Sequence, residues 1–171
     1  MTPEARRPVP LQEYLTTAYS PDREYRDGIL LERNVGELAH ATLQTLLAVY
    51  IGRRGKQWNV VSLISLRIRV RDGWYAVPDI CIYSQPAPNE RYPERPPLLW
   101  IEILSEDDRM TDVWAKAAEL VKFGVPYVWI IEPHTLKSEL WTASGAATIE
   151  DKTLRLPNTD IIIPLLEVMA R

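Results

Sequence analysis

Asp79 and Glu102 are the residues whose type and setting point most directly to chemistry. Each is the lone acid in an apolar, strand-like run, Val77-Pro78-Asp79-Ile80-Cys81-Ile82-Tyr83 and Leu98-Leu99-Trp100-Ile101-Glu102-Ile103-Leu104. An ionised carboxylate taken out of water is costly unless a cation, a hydrogen-bond donor or a metal compensates it. One loop separates the runs, and consecutive strands usually lie side by side, so the two acids are expected to share a ligand. A hard divalent cation, held by one or two carboxylates and several waters, fits that arrangement. The plainer reading pairs each acid with its own Arg or Lys, or leaves it at a strand end in solvent.

A third candidate follows on the next element. Asp112 and Lys116 stand four apart on an expected helix from Asp112 to Phe123, which stops at Gly124. If Val113, Ala117, Leu120 and Val121 form the buried stripe, Lys116 lies on its border and can lean toward the carboxylates. Spacing alone equally allows a surface ion pair with Asp112.

The surrounding elements must position these groups. Leu11 to Ala18 reads as a short helix. Glu24 to Glu32 reads as a hairpin turning at Asp27-Gly28. Glu37 to Arg54 reads as a helix with His40, Leu43, Leu47 and Tyr50 on one stripe. Asn59 to Arg71 alternates, with Ile64, Leu66, Ile68 and Val70 on one side and Ser65, Arg67, Arg69 and Arg71 on the other. That arginine ladder suits phosphate contact, or a charged edge that blocks aggregation. The five prolines between Gln85 and Pro97 imply an irregular loop. Tyr127 to Glu132 reads as a buried strand, Ser138 to Trp141 and Ala147 to Leu156 as a further hairpin, and Ile161 to Met169 as strand, helix or partner contact. The predicted fold class is α/β (α+β) with a mixed sheet, its core ordered helix, three strands, helix, strand, with N-terminal and C-terminal hairpins added.

With 171 residues, 46% hydrophobic and 25% charged, the chain fits a single globular domain spanning 1–171. A net charge of -3 argues against avid, non-specific nucleic-acid binding but allows a local basic face. Cys81 is the only cysteine, which excludes an internal disulfide and a cysteine-ligated zinc site. The stretch from Met1 to Pro10 has no apolar signal core and no run reaches membrane-spanning length, so the expected location is cytoplasmic, with no membrane partner.

The order Pro78-Asp79, then an apolar strand with Glu102, then a nearby Lys116 resembles the PD-(D/E)xK nuclease superfamily. In particular it resembles the Uma-two family of restriction-endonuclease-like bacterial proteins. The resemblance spans roughly Glu24 to Pro133 and includes Glu24 with Asp27-Gly28, His40, Pro78-Asp79, Glu102-Ile103-Leu104-Ser105, Asp112 with Lys116, Gly124-Val125-Pro126 and Trp129-Ile130-Ile131-Glu132-Pro133. It implies a restriction-endonuclease-like core and a metal-dependent endonuclease acting on DNA as a homodimer. Mg2+ (or Mn2+) would be held by Asp79, Glu102 and the Ile103 backbone carbonyl. Lys116 would orient water or stabilise charge, Glu24 would add an outer-shell or second-metal carboxylate, and His40 would hydrogen-bond the carboxylate cluster; read without the resemblance, Glu24 is a charge on the hairpin surface and His40 a core histidine. Ile161 to Met169 and Trp141 are the candidate dimer contacts.

The chain departs from the superfamily pattern in three places. The slot two residues after Glu102 holds Leu104, so the lysine role passes to Lys116. Glu106-Asp107-Asp108, where relatives usually carry Ser-Pro and small polar residues, is an acidic cluster that would repel a phosphate backbone. Leu120 stands where relatives often carry Tyr. Leu104 and the acidic cluster favour a competing reading, a catalytically inactive DNA-binding or assembly module of the same fold. A cysteine hydrolase built on Cys81 and His40 is a third, opposed by the placement of Cys81 among apolar strand residues.

Overall fold

Continuous apolar runs can be strands only where both faces of a sheet are covered, and the chain folds to cover them. The structure is a computed structural model that describes residues 8–33 and 37–170. Residues 1–7, most of the stretch considered above for a signal core, lie outside that range. Helix α1 (Leu11–Thr16) precedes a hairpin of β1 (Arg23–Arg26) and β2 (Ile29–Glu32). The hairpin turns on Asp27 and Gly28, both at positive φ (50° and 87°), as a two-residue turn matched to strand twist requires.

Helix α2 (Leu38–Trp58) buries His40, Leu43, Leu47, Tyr50 and Ile51 as a stripe. It runs past Arg54, where the sequence reading ended it, because Asn59 supplies a left-handed cap (φ 54°) whose N–H reaches the carbonyls of Gly55 and Lys56.

The expected single strand from Asn59 to Arg71 is two. β3 (Val60–Ile64) ends where Ser65 takes a positive φ of 50°, and β4 (Ile68–Arg71) belongs to another sheet. Ile64 consequently lies exposed rather than on a common buried face with Ile68 and Val70. Then come β5 (Trp74–Ala76), β6 (Ile80–Ser84), β7 (Leu99–Ile103), α3 (Met110–Phe123) and β8 (Tyr127–Ile131). The C-terminal region forms β9 (Ser138–Thr142), β10 (Gly145–Thr148), β11 (Thr153–Arg155), β12 (Ile162–Pro164) and α4 (Leu165–Met169). The expected pairing of Ser138–Trp141 with a strand from Ala147 to Leu156 is replaced by two shorter hairpins, β9 with β10 and β11 with β12.

The main sheet has six strands in the order β10-β9-β8-β7-β6-β3. Only β7 and β8 run parallel, joined by the α3 crossover. The order helix, three strands, helix, strand thus holds for this sheet, with β4 and β5 as an excursion between its first two strands. Period-two alternation sends Ile80, Ile82, Leu99, Ile101 and Ile103 to the α2 and α4 side. The alternate residues Cys81, Tyr83, Trp100, Val128 and Ile130 meet Ala117 and Leu120 of α3, together with Ile68, Val70, Trp74 and Ala76. A four-stranded sheet, β2-β1-β5-β4, therefore packs on the α3 side and brings β1 over α3. No helix among the described residues is long and apolar enough to cross a membrane.

Candidate active site

The β6–β7 register sets Ile80 opposite Ile101 and Cys81 opposite Trp100. One further step places Asp79, just before β6, opposite Glu102. Both line a cleft of about 500 Å3 at this end of the sheet, together with Glu24, His40, Lys116 and Arg33. The four supporting groups come from β1, α2, α3 and the end of β2, so the cleft exists only when both sheets and both long helices are assembled.

Asp79 is 3% exposed. Its Oδ2 accepts from the Ile103 N–H at 2.8 Å, its Oδ1 accepts from the Arg33 guanidinium and lies 3.4 Å from His40 Nε2, and its own carbonyl accepts from Gln44. Burial pushes this carboxyl up, but the His40 bond and the Arg33 charge outweigh burial and hold it below the usual range. The same contact raises His40, against the effect of burial. His40 Nδ1 lies 3.5 Å from the Ser105 hydroxyl.

Glu102 is governed differently. Its Oε1 accepts from the Trp100 indole N–H at 2.6 Å and from Lys116 Nζ at 2.6 Å. Burial pushes its carboxyl up to about 7, with Lys116 opposing and the charges of Asp79 and Glu24 adding to the rise. Lys116 Nζ is also 2.6 Å from Glu24 Oε1, which accepts the Val77 N–H at 3.0 Å. Burial disfavours the ammonium, yet Glu102 and Glu24 overcome it and raise its pKa, so Lys116 is a fixed cation. Glu24, which a hairpin surface would have exposed, is 6% exposed and clamps β1 to α3.

Several expected partners lie elsewhere or are committed. Arg67 pairs with Asp22, Arg69 with Glu94 and Asp72, and Arg71 with Asp27, and none of the three lines the cleft. Lys116 turns to Glu24 and Glu102 rather than to Asp112. Cys81 is fully buried and burial raises its thiol to about 12, while His40 engages Asp79; this geometry is unsuited to a cysteine nucleophile. Trp141 packs in the α3-side core and donates to Glu139, as does Trp114.

Two residues of the site escaped the sequence reading. Arg33 had no periodic signal, since it follows β2 directly. Trp100 did have one: it shares a strand face with Glu102 two residues away.

The cleft's donor set suits a hard divalent cation. Its lining holds the acids Glu24, Glu32, Asp79, Glu102, Asp108 and Asp112 against the cations Arg26, Arg33 and Lys116. Asp79 and Glu102 offer carboxylate oxygens, and Ile103, which also lines the cleft, offers a carbonyl. Glu24, Asp79 and Glu102 do not bring their ligand atoms to one point, and Lys116 and Arg33 pair with them as counter-ions. Among the described residues the trio whose ligand atoms come within 4.8 Å of one another is Glu37, Glu106 and His134. Two carboxylates completed by a carbonyl and waters is a coordination that magnesium accepts.

The Uma2 family model, described as "Putative restriction endonuclease", matches residues 11–168. Among solved structures, the chain is similar to a protein from Anabaena variabilis described as a putative nuclease, with a TM-score of 0.82, 20% identity, and coverage of 95% of this chain and 98% of that one. At that identity the likeness speaks for the fold. No curated protein matches the chain. With the family model matching nearly its whole length, the chain belongs to the Uma2 family.

Proposed function

We propose that this chain is a metal-dependent endonuclease that hydrolyses phosphodiester bonds of DNA, with Asp79, Glu102 and Lys116 as its catalytic groups. The observation that carries this reading is the Lys116 ammonium, 2.6 Å from both Glu102 and Glu24 in the cleft that Asp79 also lines. Asp79 and Glu102, with the Ile103 carbonyl, would hold magnesium or manganese. When bound, that ion supplies charge neutralisation at the phosphate and a more acidic water. Lys116, a permanent cation, places positive charge where the attacked phosphate gains negative charge. It is not the base, because its carboxylate neighbours stabilise its proton. Glu24 sets the direction of Lys116, and its bond to the Val77 N–H fixes Glu24 in turn. His40 and Arg33 hold Asp79 ionised.

A second reading, an inactive DNA-binding or assembly module of the same fold, draws on Leu104 at the superfamily lysine position and on the acidic Glu106-Asp107-Asp108 loop, of which Asp108 lines the cleft. Nicking of supercoiled plasmid and of oligonucleotides in magnesium or manganese, wild type beside Asp79→Ala, separates the two. Cleavage in the wild type that is lost in the variant supports the nuclease. Failure of the wild type on every DNA tested with either metal supports the inactive module.

A further inference from the structure

Trp100 stands apart from the other buried aromatics. It is fully buried in the α3-side core, yet its one polar atom is spent on the site: Nε1–H donates to Glu102 Oε1 at 2.6 Å. Lys116 Nζ reaches the same oxygen at 2.6 Å and lies 5.7 Å from the centre of the Trp100 ring. The indole therefore touches both members of the Glu102–Lys116 pair, the carboxylate through its N–H and the ammonium through its π face. By contrast, the indole nitrogens of Trp74 and Trp129, equally buried, have no hydrogen-bond partner among the described residues. Trp100 is placed by strand geometry, two residues before Glu102 on the same face of β7, where no other side chain of that strand could reach the carboxylate.

We propose that Trp100 is a positioning residue: its indole N–H pins Glu102 through Oε1 so that Oε2 is presented to the divalent cation. The proposal rests on the metal-site reading above. A carboxylate held by one oxygen cannot swing into a bidentate or solvent-facing rotamer, so less order has to be imposed when the ion arrives. Outer hydrogen bonds of this kind are generally worth about 10- to 100-fold in metal affinity or activity. Loss of the N–H alone, with the ring retained, leaves Oε1 held only by the flexible Lys116 side chain, so Glu102 gains freedom, and DNA affinity should be untouched, because Trp100 is fully buried.

Manganese(II) binding to the purified full chain, followed by electron paramagnetic resonance of the free ion without DNA, tests this on wild type, Trp100→Phe and Val125→Ala. Val125 lies in the same apolar cluster but precedes β8, at the end of the β7–β8 pair away from Glu102, and does not line the cleft, so its truncation lowers core stability away from the site. Trp100→Phe is expected to weaken manganese binding by about 10-fold or more, while Val125→Ala binds as the wild type does. In plasmid cleavage, kcat at fixed manganese should fall with little change in KM for DNA. Should Trp100→Phe fail to fold, benzothienylalanine introduced at position 100 keeps the bicyclic ring, lacks the N–H, and should show the same loss. Wild-type manganese affinity in the folded Trp100 variant overturns the positioning role alone. An equal loss in Val125→Ala also overturns it, by showing a general stability effect. No manganese binding in the wild type overturns this proposal and the metal-site reading together.

Discussion

Replacing Lys116 with Met keeps the aliphatic stem and deletes the charge that Glu24 and Glu102 share. Removing one partner of a buried ion pair typically costs about 3–5 kcal/mol. Here protonation limits the cost, since a carboxyl with an ordinary pKa of about 4.3 can be neutralised in the folded state for about 1.4 kcal/mol per pH unit above that value. The ceiling is therefore about 2 kcal/mol near pH 6 and about 5 kcal/mol near pH 8. In the wild type, Glu102 titrates near 7 when folded, above its unfolded value. The folded state then binds more protons between those two values, so stability falls with rising pH up to about pH 7 and levels off beyond it. Without Lys116 the carboxyl moves higher still, and the fall continues through about pH 8, by up to about 1.4 kcal/mol per unit. Urea unfolding of both proteins in chelator at about pH 6, 7 and 8.5 measures this. The stability gap should widen across the upper interval, and divalent metal should narrow it by replacing the lost positive charge. A gap independent of pH would refute the claim that Lys116 neutralises the buried acids.

Other outcomes follow from the same contacts. Asp79→Asn should abolish the melting-temperature gain that magnesium confers by mass action, and it should cost about 1.5–3 kcal/mol without metal, because a charged acceptor for Arg33, His40 and the Ile103 N–H is lost; a thermal gain equal to wild type would remove Asp79 from the ligand set. Arg33→Gln should tighten manganese binding, since the guanidinium competes for Asp79 Oδ1; weaker binding by calorimetry would show that Arg33 organises the site instead. The exposed Ile162 and Leu166 in the C-terminal run form part of the expected dimer contact, and light scattering at micromolar concentration should give a dimer, with a monomer counting against it.

The central strands β6, β7 and β8 were legible because each lies in a long apolar run bounded by Pro, Gly or acidic loops. Glu102 and Asp79 stood out for the same reason, as single charges against an apolar background. The break at Ser65 was not legible, since the alternation of hydrophobic and polar residues continues through it while only the backbone changes sign of φ. The charge balance of the site was legible in part. Helix spacing let Lys116 lean toward the carboxylates, and it does reach Glu102, and the plainer reading allowed each acid an Arg or Lys of its own; but nothing pointed to Arg33 as the partner of Asp79, because a long-range ion pair leaves no local pattern. The arginine ladder divides: Arg69 and Arg71 lie on β4, the edge strand of the four-stranded sheet, where a charged edge was one of the two readings, and all three arginines pair with acids outside the cleft, which spacing alone did not reveal.

The most direct measurement is cleavage of supercoiled plasmid as manganese is titrated, for wild type and Lys116→Ala, with bound manganese counted in the same samples. The cleft as described predicts that wild-type cleavage rises with site occupancy and stops with chelator, while Lys116→Ala binds manganese at least as tightly and does not cleave. Full cleavage by Lys116→Ala, or cleavage by wild type in excess chelator, would contradict the assignment of this cleft as a metal-dependent catalytic centre.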